Sequence, residues 1–177
     1  MTNTTPIKIF KEIVPNGYSV VEYEYYWHKG ERIKHGWYKS CESRVMIRSG
    51  NYKHNKKDGK LVLYSDENVD GIGSGWQWRG RLNGEEHYID GKKNDKSVHY
   101  WRNGQVSSEG NYVDDKKEGP VIGFMENGKV YWEGNFVNDK KEGRWVWYDE
   151  DGSGDIKDDD IFENGLRVGW QDDLGAK

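Results

Sequence analysis

The residues that could carry chemistry are few, and their spacing does not favour catalysis. The histidines are His28, His35, His54, His87 and His99. They show none of the paired Cys/His spacings of a zinc site, and the single cysteine, Cys41, has no Cys-His-Asn arrangement near it. The glycine-rich segment 71–75 lacks the preceding strand and following helix of a phosphate-binding loop. The sequence predicts no enzyme activity, cofactor or metal site.

Paired lysines recur at 56–57, 92–93, 116–117 and 140–141. Such pairs could form a basic stripe that binds phosphate or lipid headgroups. Acidic residues accompany them, as Asp58 and Glu118 do, so the local charge is nearly balanced. We interpret the pairs as polar turns that also protect sheet edges from aggregation.

The segment 149–163 is acidic, with eight carboxylates and one lysine. The simplest interpretation is a solvated loop. Its D-x-D-G start at 149–152 does not continue into an EF-hand pattern, which argues against a calcium loop. The alternative is an acidic surface that steers a basic partner toward the protein.

Two tryptophans precede this acidic segment, and aromatic residues beside charge are typical of protein interfaces. At the matching sites, other copies of the repeat described below have Ser97/His99 and Val121/Gly123, so the repeat does not require the indoles. The predicted partner-binding residues are Trp145, Trp147, Asp149, Asp158, Asp159 and Asp160, with a second candidate site at Trp76 and Trp78.

The elements that would position these residues come from an internal repeat. The chain reads EGNYVDDKKEG at 109–119 and EGNFVNDKKEG at 133–143, a period of 24 residues. Less faithful copies occupy 50–59, 86–95 and 162–170, and residues 68–79 are inserted in one copy. A period of this length with glycine at fixed places predicts a repeat architecture.

Each copy predicts a two-stranded hairpin with alternating faces. The pairs predicted to face the core are Val62/Tyr64, Val98/Tyr100, Ile122/Phe124 and Val146/Tyr148. The residues between them along each strand, which include Trp145 and Trp147, are predicted to form the variable face on the other side.

The hairpin loops are predicted to contain three residues, with glycine in the left-handed conformation at the end of R-N-G (102–104) and E-N-G (126–128). Phe124 would then face Val130, and Ile122 would face Trp132. Gly110 and Gly134 are predicted to make room for neighbouring rings.

Composition supports one aromatic-rich, soluble domain. Among 177 residues only 33% are hydrophobic, yet there are nine Trp and twelve Tyr, so the core must be built from rings. The net charge is −4, no apolar run reaches a membrane span, and Met1–Phe10 resembles no signal peptide. We expect a cytoplasmic protein with a lead-in or cap at 1–22, about six repeats at 23–170 and a tail at 171–177.

The unit G-N-[YF]-x-x-x-K-K-x-G, followed by an apolar strand and x-N-G, resembles the bacterial variant of the MORN repeat. The resemblance covers roughly residues 23–170 and is strongest over 86–148. It implies an all-β repeat array of antiparallel β-hairpins in an elongated, twisted sheet. Bacterial members of this type are often labelled antitoxin or immunity-like proteins.

The resulting hypothesis is a non-enzymatic repeat protein that binds another protein. By resemblance, that partner would be a toxin or effector, neutralised by direct binding. A membrane-associated or structural scaffold is one alternative, although such a scaffold should present a basic face. Carbohydrate binding by the rows of aromatic residues is the other, although such proteins are usually exported. No nucleic-acid partner is expected.

Overall fold

The computed structural model describes residues 8–13, 19–42, 45–65, 81–151 and 153–169, which form strands and turns without a helix. The all-β array of antiparallel hairpins predicted from the repeat is confirmed. The insertion at 68–79, with Trp76 and Trp78, and the predicted tail at 171–177 lie outside the described residues. The chain divides into two compact units, Met1–Lys92 and Lys93–Lys177.

The first unit pairs its strands antiparallel in chain order, with a short β5 beside β4. Its strands are β1 (Lys8–Ile13), β2 (Ser19–His28), β3 (Glu31–Glu42), β4 (Val45–Lys53), β5 (Lys56–Lys57), β6 (Gly59–Ser65) and β7 (Arg81–Ile89). A two-residue strand, β8 (Lys92–Lys93), leads the chain from this unit into the next.

The second unit follows the same antiparallel order. Its strands are β9 (Asp95–Tyr100), β10 (Val106–Val113), β11 (Lys116–Phe124), β12 (Val130–Val137), β13 (Lys140–Tyr148), β14 (Ile156–Glu163) and β15 (Leu166–Gly169). Consecutive pairing of this kind needs only short connections, which the repeat supplies at regular intervals.

The two-residue turn before each lysine pair explains the polar half of the repeat. Asp114 and Asp115 both have positive φ (51° and 73°), as do Asn138 and Asp139 (50° and 67°). Positive φ at both central residues defines the type I′ turn, whose twist matches that of paired strands and which favours Asn, Asp and Gly.

Neighbouring turns also hydrogen-bond to one another. The Asp139 N–H donates to the Lys117 carbonyl (3.0 Å), and the Lys117 N–H donates back to Asp139 Oδ1 (2.8 Å). Asp115 and Lys93 repeat this reciprocal pair at 2.8 and 2.7 Å. The aspartate therefore satisfies backbone groups of the adjacent copy as well as forming its own turn.

The second lysine of each pair lies over an aromatic ring of the following copy. The Nζ-to-centroid distances are 4.7 Å for Lys57 and Tyr88, 3.8 Å for Lys93 and Tyr112, 4.8 Å for Lys117 and Phe136, and 4.6 Å for Lys141 and Phe162. Cation–π attraction and burial of the lysine stems therefore link successive hairpins.

The core lies on the face that was predicted to be variable. The predicted assignment of the core face and the variable face was therefore wrong. Leu61, Ser97 and Trp145 are each only 3% exposed, whereas Phe124 is half-buried. Val146, at 5% exposed, is the one residue of the predicted core pairs that is buried.

A bulge in each hairpin explains the reversal. The three-residue loop at 126–128 forms as predicted, with Gly128 at φ 84° and Phe124 paired with Val130. The next pair is Gly123 with Trp132, which leaves Tyr131 as an extra residue on β12. Ile122 therefore faces Glu133 and not Trp132, because one extra residue exchanges the faces of everything beyond it.

We call the ring-bearing side of the second unit its aromatic face. It carries Ser97, His99, Ser108, Tyr112, Val121, Gly123, Trp132, Phe136, Trp145 and Trp147. The opposite side, the carboxylate face, carries the cross-strand row Val98, Glu109, Ile122, Glu133, Val146 and Asp159.

Glycines on the aromatic face provide room for the indoles. A Cβ at Gly134 would lie 2.3 Å from Trp145 Cδ2, and one at Gly123 would lie 2.2 Å from Trp132 Cε2. The prediction that glycine admits a ring is therefore confirmed at Gly134. At Gly110 the neighbour is the Val121 side chain, 3.1 Å from the ideal Cβ position.

Gly134→Ala should lower the free energy of unfolding by about 1–3 kcal/mol, because the new methyl group must displace a buried indole. Gly110→Ala is the matched comparison, since a valine methyl needs to move by only a few tenths of an ångström. Urea unfolding of both variants measures the difference. Equal losses would show that the β-strand glycines matter for backbone conformation and not for ring packing.

The first unit has a core of tyrosines. Tyr23, Tyr25, Tyr38 and Leu61 are buried together, and the rings of Tyr38 and Tyr52 are 4.5 Å apart. Burial, followed by the neighbouring Tyr52, raises the pKa of the Tyr38 hydroxyl far above its ordinary value, and burial also raises the pKa of Tyr52.

Alkaline pH should therefore destabilise the protein. The folded and the unfolded chain both keep the phenolic protons of Tyr38 and Tyr52 below pH 10.0, the ordinary pKa of tyrosine. As pH rises above it, the unfolded chain ionises first, so the free energy of unfolding falls. Tyr38→Phe should weaken this dependence without loss at neutral pH, because the buried Tyr38 hydroxyl has no hydrogen-bond partner among the described residues. Denaturation at pH 7 and about pH 11 tests this; an unchanged alkaline profile would assign the transition to other groups.

Candidate functional site

Trp145 lies at the centre of the aromatic face and is buried. Its ring covers Gly134, stacks on Trp132 at 5.8 Å and meets Phe136 edge-on at 5.1 Å. Its indole Nε1–H donates to the Asn135 carbonyl at 3.2 Å. With 3% exposure, Trp145 is part of the core, and the prediction that it stands on a face free of core packing was wrong.

Trp147 is the tryptophan of this pair that remains partly accessible. It is half-buried, with its ring 6.3 Å from that of Trp145 and the Lys141 Nζ 5.3 Å from its centroid. It pairs with Trp132 on one side and with the exposed Asp158 on the other. An indole and a carboxylate therefore stand side by side on the aromatic face.

The acidic segment is divided between a turn and a strand. The Asp149 N–H donates to the Asp155 carbonyl at 2.9 Å and closes the turn. Asp151 accepts the Ser153 N–H at 2.8 Å, and this bond lowers the pKa of its carboxyl. Asp158–Asp160 lie within β14, so the interpretation of the whole segment as a loop was wrong. The strand continues through the three aspartates because it pairs with β13 and because the apolar residues Ile161 and Phe162 follow them.

Two of the three aspartates are neutralised by arginines. Asp159, on the carboxylate face, accepts from Arg144 at 2.8 Å, and Asp160 pairs with Arg167. Asp158 is the most exposed of the three. The acidic group that accompanies Trp147 is thus Asp158, with the half-buried Asp149 at the end of the same strand pair.

The carboxylate face contains an ion-pair pattern that the repeat analysis missed. Lys96 pairs with Glu109 at 2.7 Å, and Arg144 pairs with Asp159 at 2.8 Å, each cation lying diagonally from its acid. Pro120 occupies the corresponding cation position for Glu133. The Glu133 carboxylate instead accepts the Tyr148 hydroxyl at 2.7 Å, which raises the pKa of Tyr148.

A cleft on the aromatic face was also missed. Its volume is about 280 Å³, and its lining includes Ser97, His99, Ser108, Tyr112, Val121, Trp132 and Phe136. Ser97 is 3% exposed, and its Oγ has no hydrogen-bond partner among the described residues. The sequence signal was available: Ser97 occupies the position where other copies have Leu61 and Trp145.

The histidines form no metal site in the described part of the chain. His35 and His54 have ring centroids 5.3 Å apart, but no three His, Cys, Asp or Glu side chains are grouped to hold an ion there. The same ranges contain no helix with the length and apolarity needed to cross a membrane.

Comparison with known proteins adds no family assignment. No protein-family model matches the chain, and a search of curated proteins finds no significant match.

Proposed function

We propose that this chain is a cytoplasmic, non-enzymatic repeat protein that binds another protein through the aromatic face of its second unit. The observation that carries the proposal is Trp147, a half-buried indole beside the exposed Asp158. The hairpin core already contains Trp145 and Trp132, so a second indole at the accessible end of β13 is available for contact. Aromatic side chains at such positions dominate the binding energy of many interfaces.

The resemblance to bacterial MORN-repeat variants suggests the class of partner. We propose a toxin or effector that this chain neutralises as an antitoxin or immunity protein, by covering the toxin's active site. An exposed aspartate next to the indole favours a partner with a basic surface, since complementary charge accelerates association.

The membrane-scaffold alternative receives less support from the lysines. The ammonium groups of Lys57, Lys93, Lys117 and Lys141 lie over aromatic rings. In those positions they contribute to packing between copies. Lys117 and the first lysines of the pairs, Lys56, Lys92, Lys116 and Lys140, are exposed. Acidic residues such as Asp58 and Glu118 accompany them, whereas a stripe that binds lipid headgroups would need an excess of positive charge.

The test combines capture with a growth assay. A protein that co-purifies with the tagged chain from native lysate is expressed alone and together with the chain. We expect growth arrest when it is expressed alone and rescue by the wild-type chain, with rescue reduced by Trp147→Ala. A captured protein that is harmless when expressed alone would contradict the antitoxin role. Rescue unaffected by Trp147→Ala would contradict the proposed surface.

A further inference from the structure

One copy of the repeat lacks the cation that the other copies hold beside a carboxylate. Equivalent positions in successive copies are occupied by Lys60, Lys96, Pro120 and Arg144. The three cations pair at 2.7, 2.7 and 2.8 Å with the carboxylates of Glu85, Glu109 and Asp159. The fourth carboxylate of this series is Glu133, and Pro120 lies diagonally from it in the same register. Glu133 therefore faces a side chain that has no charge.

The Glu133 carboxylate is held in place but only partly satisfied. Its Oε1 accepts the Tyr148 hydroxyl at 2.7 Å. Within the described ranges, Oε2 accepts no hydrogen bond and Glu133 forms no ion pair. Oε2 is also not among the buried side-chain atoms that lack a partner, so it is open to solvent. A carboxylate has about four acceptor sites, and those on Oε2 remain available to a cation.

An open cleft lies beside this carboxylate. Its volume is about 340 Å³, and its lining includes Pro120, Ile122, Glu133, Arg144 and Val146. Pro120 is exposed and Ile122 is half-buried, so both offer apolar surface. The Arg144 guanidinium is already paired with an aspartate. The unpaired charge in the lining is therefore that of Glu133, beside apolar surface on β11.

We propose that this cleft receives a basic side chain, lysine or arginine, from the bound partner protein. The inference rests on the proposed function, which supplies a partner with a basic surface. The charged end of the side chain pairs with Glu133 Oε2, and its alkyl stem packs on Pro120 and Ile122, since such stems bury readily along apolar surface. The partner thus supplies the cation that the repeat supplies elsewhere.

The position of the cleft lets one partner contact both faces of the sheet. Trp147 and Tyr148 are consecutive at the end of β13, and consecutive side chains of a strand point to opposite faces. Tyr148 reaches Glu133 on the carboxylate face, whereas Trp147 lies on the aromatic face. A partner that covers this end of the strand therefore contacts Trp147 on one side and Glu133 on the other.

The first experiment needs no partner. n-Butylammonium, the analogue of a lysine side chain, is titrated at low salt into the full-length chain while ¹³C NMR follows the carboxyl carbon of Glu133. We expect saturable binding. Ammonium, which lacks the stem, and n-butanol, which lacks the charge, should each bind more weakly by about tenfold. The Glu109 carboxyl, already paired with Lys96, is the internal control and should not respond. Equal binding of ammonium, or an equal response at Glu109, would show a general counterion effect and overturn the site.

Two variants at one position test the missing cation. Pro120→Lys restores the cation within the chain, and the fold should tolerate it because the preceding copy has Lys96 there. It should abolish the response of Glu133 to n-butylammonium and reduce partner affinity by about tenfold or more. Pro120→Ala is the matched control, which removes the proline without adding charge, and it should retain most of both. Equal losses in the two variants would overturn the assignment of the cation.

The two proposals can fail separately. If n-butylammonium binds but Pro120→Lys leaves the affinity for a confirmed partner unchanged, the proposal of an inserted basic side chain is wrong while protein binding stands. If no partner protein exists, the inserted side chain is overturned together with the proposed function, whatever the titration shows.

Discussion

Trp145→Ala should lower the free energy of unfolding by about 3–5 kcal/mol, the range for removing a large buried aromatic side chain. The indole is 3% exposed and packs against Gly134, Trp132 and Phe136. Its removal leaves a cavity across neighbouring strands and deprives the Asn135 carbonyl of its indole donor. Chemical denaturation monitored by far-UV circular dichroism measures the loss.

Trp101→Ala is the matched control within the second unit. Trp101 is 37% exposed, and its Nε1–H donates to the Phe124 carbonyl at 2.8 Å. Its removal should cost about 1 kcal/mol, the worth of one ordinary hydrogen bond. Similar losses for the two tryptophans would mean that Trp145 is not the centre of the core, and would restore it as a candidate contact residue.

This stability effect limits what Trp145 can report about function. A destabilised variant loses binding for structural reasons, so a weaker partner interaction in Trp145→Ala would not locate the interface. Trp147 is half-buried and lies two residues further along β13, on the same face as Trp145. Partner binding by a Trp147 variant therefore locates the interface more reliably.

The repeat period, the strands and the turns could be predicted because they depend on local chemistry. Adjacent Asn and Asp residues favour positive φ, and positions 138 and 139 adopt it in a type I′ turn. The loop at 126–128 follows similarly from its glycine, Gly128. These preferences depend on only a few neighbouring residues, so the turns can be predicted from the sequence.

The faces could not be predicted, because they depend on one unpaired residue. Nothing in the side chain of Tyr131 indicates a bulge. As the extra residue on β12, however, it reverses which side chains of that strand point to each face of the sheet, counted from the loop. The bulge also affects the placement of Trp145, because the aromatic face, which carries Trp145, becomes the core side of the sheet. The ion pairs of Asp159 and Asp160 with Arg144 and Arg167 were missed because they join residues 15 and 7 positions apart along different strands.

The most informative prediction for function concerns Trp147→Ala. In the proposed complex, this substitution should weaken partner binding by about 2 kcal/mol or more, the threshold for an interface hot spot. The loss should appear mainly as faster dissociation, since most effects of interface contacts are on the dissociation rate. Folding should survive, because the core indoles Trp132 and Trp145 remain in place.

Asp158→Asn should change binding in a different way. Asp158 pairs with Trp147 across β13 and β14 and is exposed, so its charge acts before contact and should affect the association rate and its salt dependence. Asp159→Asn is the matched control on the opposite face, where the carboxylate accepts from Arg144. Surface plasmon resonance at two salt concentrations separates the rates. If Trp147→Ala and Asp158→Asn both bind a confirmed partner like the wild-type chain, the interface lies elsewhere, and Trp76 and Trp78 are the next residues to test.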